Sequence, residues 1–154
     1  MARQYRSLNQ LHKDLSKIIA DVVLVDLRDE IVRIWLEHQA ELVYDTYDPI
    51  QYVRRADQGG LADPANIESF ISGAVTKELH VRLENTTHPV HDAAGQFLNR
   101  LIEGKEGFAG DPNMGMPARP YTQPAIEYMQ SNPARLKKVI TEGFMRHGIR
   151  VNIK

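Results

Sequence analysis

Leu8, Leu11, Leu15, Ile18 and Ile19 recur at helical spacing, and Val22, Val23, Leu27, Ile31, Ile34, Trp35 and Leu42 carry the same stripe onward. The pattern predicts a helical region over about residues 7–43, roughly 55 Å long if unbroken at 1.5 Å per residue. That is long for a chain of 154 residues, so a break or bend is expected near Ala20–Asp21, where Asp21 has the side chain to cap a second helix. Trp35 and the leucines read as core.

The stripe stops in YDTYDPIQYVRRADQGGLADPANI, residues 44–67. Proline disfavours helix in the residue before it, and Gly59-Gly60 permits backbone angles other residues avoid. Ile50, Tyr52 and Val53 suit a short extended segment, and Asp63-Pro64 starts another turn. From Ile67 the period changes, and Ile67, Phe70-Ile71, Val75, Leu79, Val81 and Leu83 predict two strands. In the second, Leu79, Val81 and Leu83 face one way and His80, Arg82 and Glu84 the other, the alternation of a half-buried antiparallel strand.

A short helix is expected from about Ala93 to Glu103 on Phe97, Leu98, Leu101 and Ile102, with a loop at Thr86–Pro89 before it. GKEGFAGDPNMGMPARP then reads as a long surface loop, of a length that is usually functional or ordered against a partner. Thr122 is the expected cap of a final helix over about Gln123–His147, with Pro124 in its first turn and an apolar stripe of Ile126, Met129, Leu136, Val139, Ile140 and Phe144. Asn132-Pro133 is placed to kink or divide it. Ile149, Val151 and Ile153 alternate with basic and polar residues and predict a closing strand. The expected class is α+β in a single domain over residues 1–154: a long N-terminal helix or helix pair, a small antiparallel sheet, a short helix, a long loop and a C-terminal helix packed on the sheet.

Composition, 42% hydrophobic and 25% charged, is that of an ordinary globular protein, and about 70% of the unfolded surface can be buried at this length. With no cysteine, disulfides, thiol catalysis and cysteine-ligated zinc are excluded. The N-terminal residues lack the continuous apolar run of a signal peptide, and the most apolar stretch, Ile18–Leu27, is interrupted by Asp21 and Asp26 and too short to span a bilayer. A soluble, cytoplasmic protein is the expectation. The net charge of −1 hides a division. Residues 1–18 carry four Lys/Arg against Asp14, residues 135–154 six against Glu142, and the middle stands at −9. Basic ends and an acidic centre suit contact with nucleic acid, or copies of one protein meeting through opposite faces.

His80, Glu84, His88, His91 and Asp92 are residue types a metal hydrolase would use. On a strand, however, His80 and Glu84 stand about 13 Å apart at 3.3 Å per residue, and no helical His-Glu-x-x-His pattern exists. The glycines Gly104, Gly107, Gly110 and Gly115 lack the strand-to-helix context of a phosphate loop, and Ser69 and Ser72 lack a nucleophile elbow. The chain reads as a non-enzyme without cofactor or metal. Arg54-Arg55 beside tyrosines have the chemistry to contact phosphates and stack bases, but the same residues are enriched at protein interfaces.

Two segments carry a resemblance. Ala118-Arg119-Pro120-Tyr121 followed by Pro124-Ala125 resembles the Ala/Pro-Arg-Pro-Phe segment that enters the last helix of the tail-completion, or head-to-tail joining, proteins of long-tailed bacteriophages. Tyr52-Val53-Arg54-Arg55 through Gly60-Leu61 is similar to a Tyr-x-Arg-Arg…Gly-Gly-Leu form in phage and prophage proteins of this type. The Pro-x-x-Thr-Gly-x-Leu segment of many relatives is absent. The resemblance implies a structural virion protein, assembled in the host cytoplasm, whose copies form a hexameric ring at the neck or the top of the tail tube. Its partners would be itself and neighbouring neck, tail-terminator or tail-tube proteins, with passive contact to DNA in the channel and none to membrane. Tyr47, Tyr52, Arg54 and Arg55, with Gly59, Gly60 and Leu61, would form one contact patch. Arg119, Pro120 and Tyr121 would anchor the long loop or meet a neighbouring ring. A tail terminator is the nearest alternative; a metal hydrolase and a DNA-binding protein are the alternatives from other classes.

Overall fold

A computed structural model describes residues 5–46, 55, 57–74, 78–88, 102–103 and 118–153. Helix α1 (Leu8–Asp21) is followed without interruption by a π turn (Val22–Leu27), helix α2 (Arg28–Gln39) and a second π turn (Ala40–Tyr44). After a 3-10 turn (Pro64–Asn66) come strands β1 (Ile67–Ala74) and β2 (Glu78–Asn85), an antiparallel pair. Helices α3 (Thr122–Ser131) and α4 (Pro133–Arg146) follow. The class is α+β. Two compact units are present: Met1–Ile31 with Ile71–Val81 and Asn132–Lys154, and Val32–Phe70 with Arg82–Ser131.

The first unit is built on the long helix. Ser7 caps α1, its hydroxyl accepting from Gln10 N–H. The break expected at Ala20–Asp21 is not a break: Asp21 has helical angles and makes no cap hydrogen bond, and the helix passes into the π turn instead. A π turn bonds i to i+5 and so takes in one extra residue. In a regular α-helix, Asp21 and Asp26 would point about 140° apart, from 3.6 residues per turn. With the extra residue, both meet α4. Asp21 accepts from His147 Nε2 at 2.8 Å, Asp26 pairs with Arg146, and Glu30, one α turn on and 3% exposed, pairs with Arg135. The partners descend in number as the acids ascend, so α4 runs antiparallel to the long helix.

Helix α4 had been expected on the sheet; it packs instead against the first π turn. Gly143 sits at the closest approach. A Cβ there would lie 2.6 Å from Asp26 Oδ2 and 3.0 and 3.1 Å from the two Cγ atoms of Val22, which is itself fully buried. The proline division of the last helical segment is as expected, with Asn132 at φ −123° between the two helices. The closing strand at Ile149–Ile153 does not form: these residues follow the α4 cap without strand structure, and alternation alone supplied no strand edge to pair with. Gly148, at φ +75°, turns the chain out of α4, as helix ends commonly require.

In the hairpin, Thr86 N–H donates to Asn66 C=O at 2.8 Å, and the Arg82 guanidinium lies 4.8 Å over the Phe70 ring. Gly73, at φ +90°, approaches the Glu78 carbonyl too closely for any Cβ. The short helix expected at Ala93–Glu103, apart from its last two residues, and the 104–117 loop lie outside the described residues.

Gly143→Ala should lower stability by about 1–3 kcal/mol through overpacking, although alanine is about 1 kcal/mol better than glycine in an open helix. Urea unfolding measures this, and a gain in stability would contradict the close packing. In the same assay Glu30→Ala should cost more than Asp21→Ala, because it removes a buried carboxylate from its ion pair with Arg135 whereas the side chain of Asp21 is 50% exposed.

Candidate interaction surface

The second unit holds the described part of the predicted contact residues, and it divides them sharply. Gly59, at φ +75°, donates its N–H to Asp63 Oδ2 at 2.8 Å, while Asp63 Oδ1 caps the 3-10 turn by accepting from Ala65 N–H at 2.9 Å. The turn expected at Asp63-Pro64 is therefore fixed by an aspartate that bonds on both sides of itself. The carbonyl of Gly60 takes Asn66 Nδ2 at 2.9 Å, Thr87 Oγ1 at 3.1 Å and Asp63 N–H at 3.2 Å. Leu61 C=O accepts from Asn85 Nδ2 at 2.8 Å, and Asn85 Oδ1 accepts from Thr87 N–H at 3.1 Å. Gly60, Leu61, Asn85 and Thr87 are all buried. Gly60 and Leu61 are thus a bolted joint between the loop and the base of the hairpin, not an outer surface.

Arg55 differs. It is exposed, and its guanidinium donates to His88 C=O at 2.8 Å, so the cation is steered along the surface beside the end of β2. Tyr47, Tyr52 and Arg54 lie outside the described residues.

The segment entering α3 divides in the same way. Pro120 is exposed and Arg119 half-buried, with Arg119 N–H donating to Ile102 C=O at 2.8 Å. Tyr121 is 1% exposed, its ring 6.0 Å from that of Trp35 and tilted by 30°. Its burial leaves it the anchoring role and removes it from any contact with a neighbour. Thr122 is not the cap foreseen for it, being itself the first residue of α3. Its hydroxyl accepts from Trp35 Nε1 at 3.0 Å, and its N–H donates to Glu103 Oε1 at 2.9 Å. A carboxylate at this position complements the positive end of the helix dipole. Burial, the Glu103 carboxylate and Tyr44 hold the Tyr121 hydroxyl well above its ordinary pKa, against an opposing contribution from Gln39, so it stays neutral throughout the working pH range.

The hairpin contributes a surface that no sequence argument singled out. Every residue from Glu68 to Gly73 is exposed, with Phe70 at 42% and Ile71 at 53%. A strand of alternating residues normally hides one face; this one hides neither over these six residues. On β2, His80 and Arg82 are exposed and Val81 and Leu83 half-buried, as the alternation foretold, but Glu84, expected on the outward face, is half-buried too. His80 stands 3.6 Å from Glu78, both solvated. Among the described residues no group of three or more His, Cys, Asp or Glu is placed to hold a metal ion, and His91 and Asp92 lie outside them. Also among the described residues, no helix is long and apolar enough to cross a membrane.

Sequence reasoning missed Asn85, Thr87, Gln39 and Glu103. A signal existed for two of them. Asn85 continues the parity of Leu79, Val81 and Leu83, and Gln39 lies one helical turn beyond Trp35, so each is a polar residue on an apolar face.

Asn85→Ala should cost about 1–3 kcal/mol, because it leaves the Leu61 carbonyl and the Thr87 N–H without partners. Arg55→Ala, at an exposed position, should stay within about 0.5 kcal/mol. Equal costs in urea titrations would contradict the division between joint and surface.

Comparison with known proteins places these features in a lineage. The family model described as YomN matches residues 7–146, a span that takes in the long helix, the hairpin and both C-terminal helices. No curated protein and no solved structure matches the chain. The chain belongs to the YomN family, a phage-derived family of SPbeta-like prophage.

Proposed function

We propose that this protein is a structural component of the virion, forming a ring at the head–tail junction, in the neck or at the top of the tail tube, that completes the tail and joins it to the head. The observation that carries the reading is the hairpin of a phage-derived protein exposing six consecutive residues of β1, two of them large and apolar. A lone two-stranded hairpin is marginally stable in water, and exposed apolar residues on one are suited to burial against another chain. The location is supported by the resemblance of Ala118-Arg119-Pro120-Tyr121 to the segment by which the joining proteins enter their last helix, although here it enters α3 and α4 follows. In this chain that segment ends in a buried aromatic anchor, which suits a fixed platform for the residues preceding it.

A ring is a heterologous assembly, in which one patch on each subunit meets a different patch on the next. Charge serves this geometry in part: Arg135 and Arg146 pair with Glu30 and Asp26 of their own chain, and other basic residues of the ends can meet acidic residues of another copy. On this reading Arg55, Pro120 and the exposed residues Glu68–Gly73 of β1 belong to contact surfaces, with Tyr47, Tyr52 and Arg54 as further members of the first patch.

Particles produced from a prophage lacking the gene test the role. The reading expects filled heads and tails of normal length that remain separate. Tails of uncontrolled length would identify a terminator instead, and fully joined particles would contradict both. Charge reversal at Arg54 and Arg55 should give folded protein that fails to support joining; unaffected assembly would remove the patch from the account.

A further inference from the structure

The segment that the sequence marks as a closing strand keeps the pattern of one in the folded chain. Ile149, Val151 and Ile153 are half-buried, while Gly148, Arg150 and Asn152 are exposed. A period of two is that of an extended strand. Its backbone is unused: Ile149 N–H closes the cap of α4 on Phe144 C=O at 3.0 Å, but among the described residues no backbone hydrogen bond involves Arg150, Val151, Asn152 or Ile153.

The hairpin offers what this segment lacks. Among the described residues the sheet has two strands, so β1 is an edge. Edge strands are normally protected by lysine, proline or an inward-pointing charge, yet β1 (Ile67–Ala74) has no proline and one charge, Glu68. Its residues 68–73 are exposed on both faces. Arg82 lies over the Phe70 ring, so these two share a face, and Ile71 and Val81, each one position along, share the other. Val81 is half-buried and Ile71 is 53% exposed. An added strand with an apolar row would cover it.

Charge selects the occupant. Beyond the α4 cap the chain carries Arg150 and Lys154 and no acid, opposite in sign to Glu68. Two such segments paired with each other in antiparallel fashion can set Arg150 against Lys154, and like charges directly opposite are destabilising. Pairing with β1 avoids this. Because residues 68–73 are exposed, the segment leaves the β1 of its own copy uncovered, so the strand it joins is that of a second copy.

We propose that residues 149–153 of one copy add as a third strand to the β1 edge of the next, around Ile71. Ile149, Val151 and Ile153 then extend the apolar face of Ile71 and Val81, and the same register of faces puts Arg150 and Lys154 on the side of Glu68. Backbone hydrogen bonds supply the attraction, and the two faces supply the specificity. Donor segment and acceptor edge are different parts of the chain, so the contact is heterologous and can close into a ring. The inference rests on the reading of the protein as a ring-former, not on where the ring stands.

The chain has no cysteine, so introduced thiols report without interference. The double variant Ser72→Cys/Asn152→Cys, treated with a short thiol-specific cross-linker that tolerates a two-residue shift in register, should give a ladder of covalent oligomers, and each single variant should stay monomeric on a denaturing gel. Dimers from Ser72→Cys alone would show two β1 edges meeting, and dimers from Asn152→Cys alone two C-terminal segments. Either result, or no ladder from self-associated protein, would overturn the proposal. Sedimentation supplies the second reading. Val151→Pro/Asn152→Pro removes two N–H donors that make no backbone hydrogen bond among the described residues, and successive donors point to opposite edges, so one of the two faces any strand that joins. Tm should hold while self-association weakens about tenfold. Unchanged association would overturn the pairing and leave the ring, whereas an unaltered chain that does not self-associate at any concentration would remove both.

Discussion

Helix α4 lies so close to the first π turn that a Cβ on Gly143 would press on Val22 and Asp26, and that turn brings Asp21 onto the face where Asp26 and Glu30 engage α4. The extra residue within Val22–Leu27 is what brings Asp21 into line with Asp26 and Glu30. A hydrogen bond with His147 and ion pairs with Arg146 and Arg135 then follow. Their electrostatic value is uneven. Those of Asp21 and Asp26 include a solvated partner and contribute little, while the carboxylate of Glu30, withdrawn from water, pairs with Arg135 at a site where loss of a partner costs more. Packing at Gly143 sets the distance, and the charges set which way and in what register α4 lies.

The second unit works by a different means. Its described buried residues include Trp35, Ile34, Leu61, Ile67 and Tyr121, and side chains that bond backbone add to its order. Asn85 and Thr87 clamp the Gly60-Leu61 backbone, and Glu103 and Trp35 fix the start of α3 through Thr122. Such bonds each add only about 1 kcal/mol when made, but cost more when one partner is removed. They give the loop at Gly59–Asn66 one conformation.

Periodicity found nearly every described element: the long helix, the paired strands, the proline division before α4 and the burial of Trp35. It failed where the physics is not periodic. An i to i+5 turn leaves no mark in a hydrophobic stripe, so the length of the stripe reads as a break near Asp21. Ile149, Val151 and Ile153 alternate, but a strand also needs an edge to join, which alternation does not provide. Of the contact residues, the placement of Arg55 and Pro120 at the surface was legible from their chemistry. Burial of Leu61 and Tyr121 was not, because each lies in a turn or connecting segment whose partners, Asn85 and Trp35, are distant in sequence.

Both units share one economy: rigid backbone positions set by a few buried groups, with apolar and charged residues left at the surface of β1 and beside Arg55. That arrangement suits a subunit whose chemistry is complementarity with its neighbours. The most direct test is a reconstruction of the head–tail junction in intact particles, at a resolution that distinguishes the long helix and α4. The account predicts a closed ring of this chain between head and tail tube, with Phe70 and Ile71 covered by an adjacent subunit or ring. A junction fully built from other proteins, with this chain absent from the particle, would contradict it.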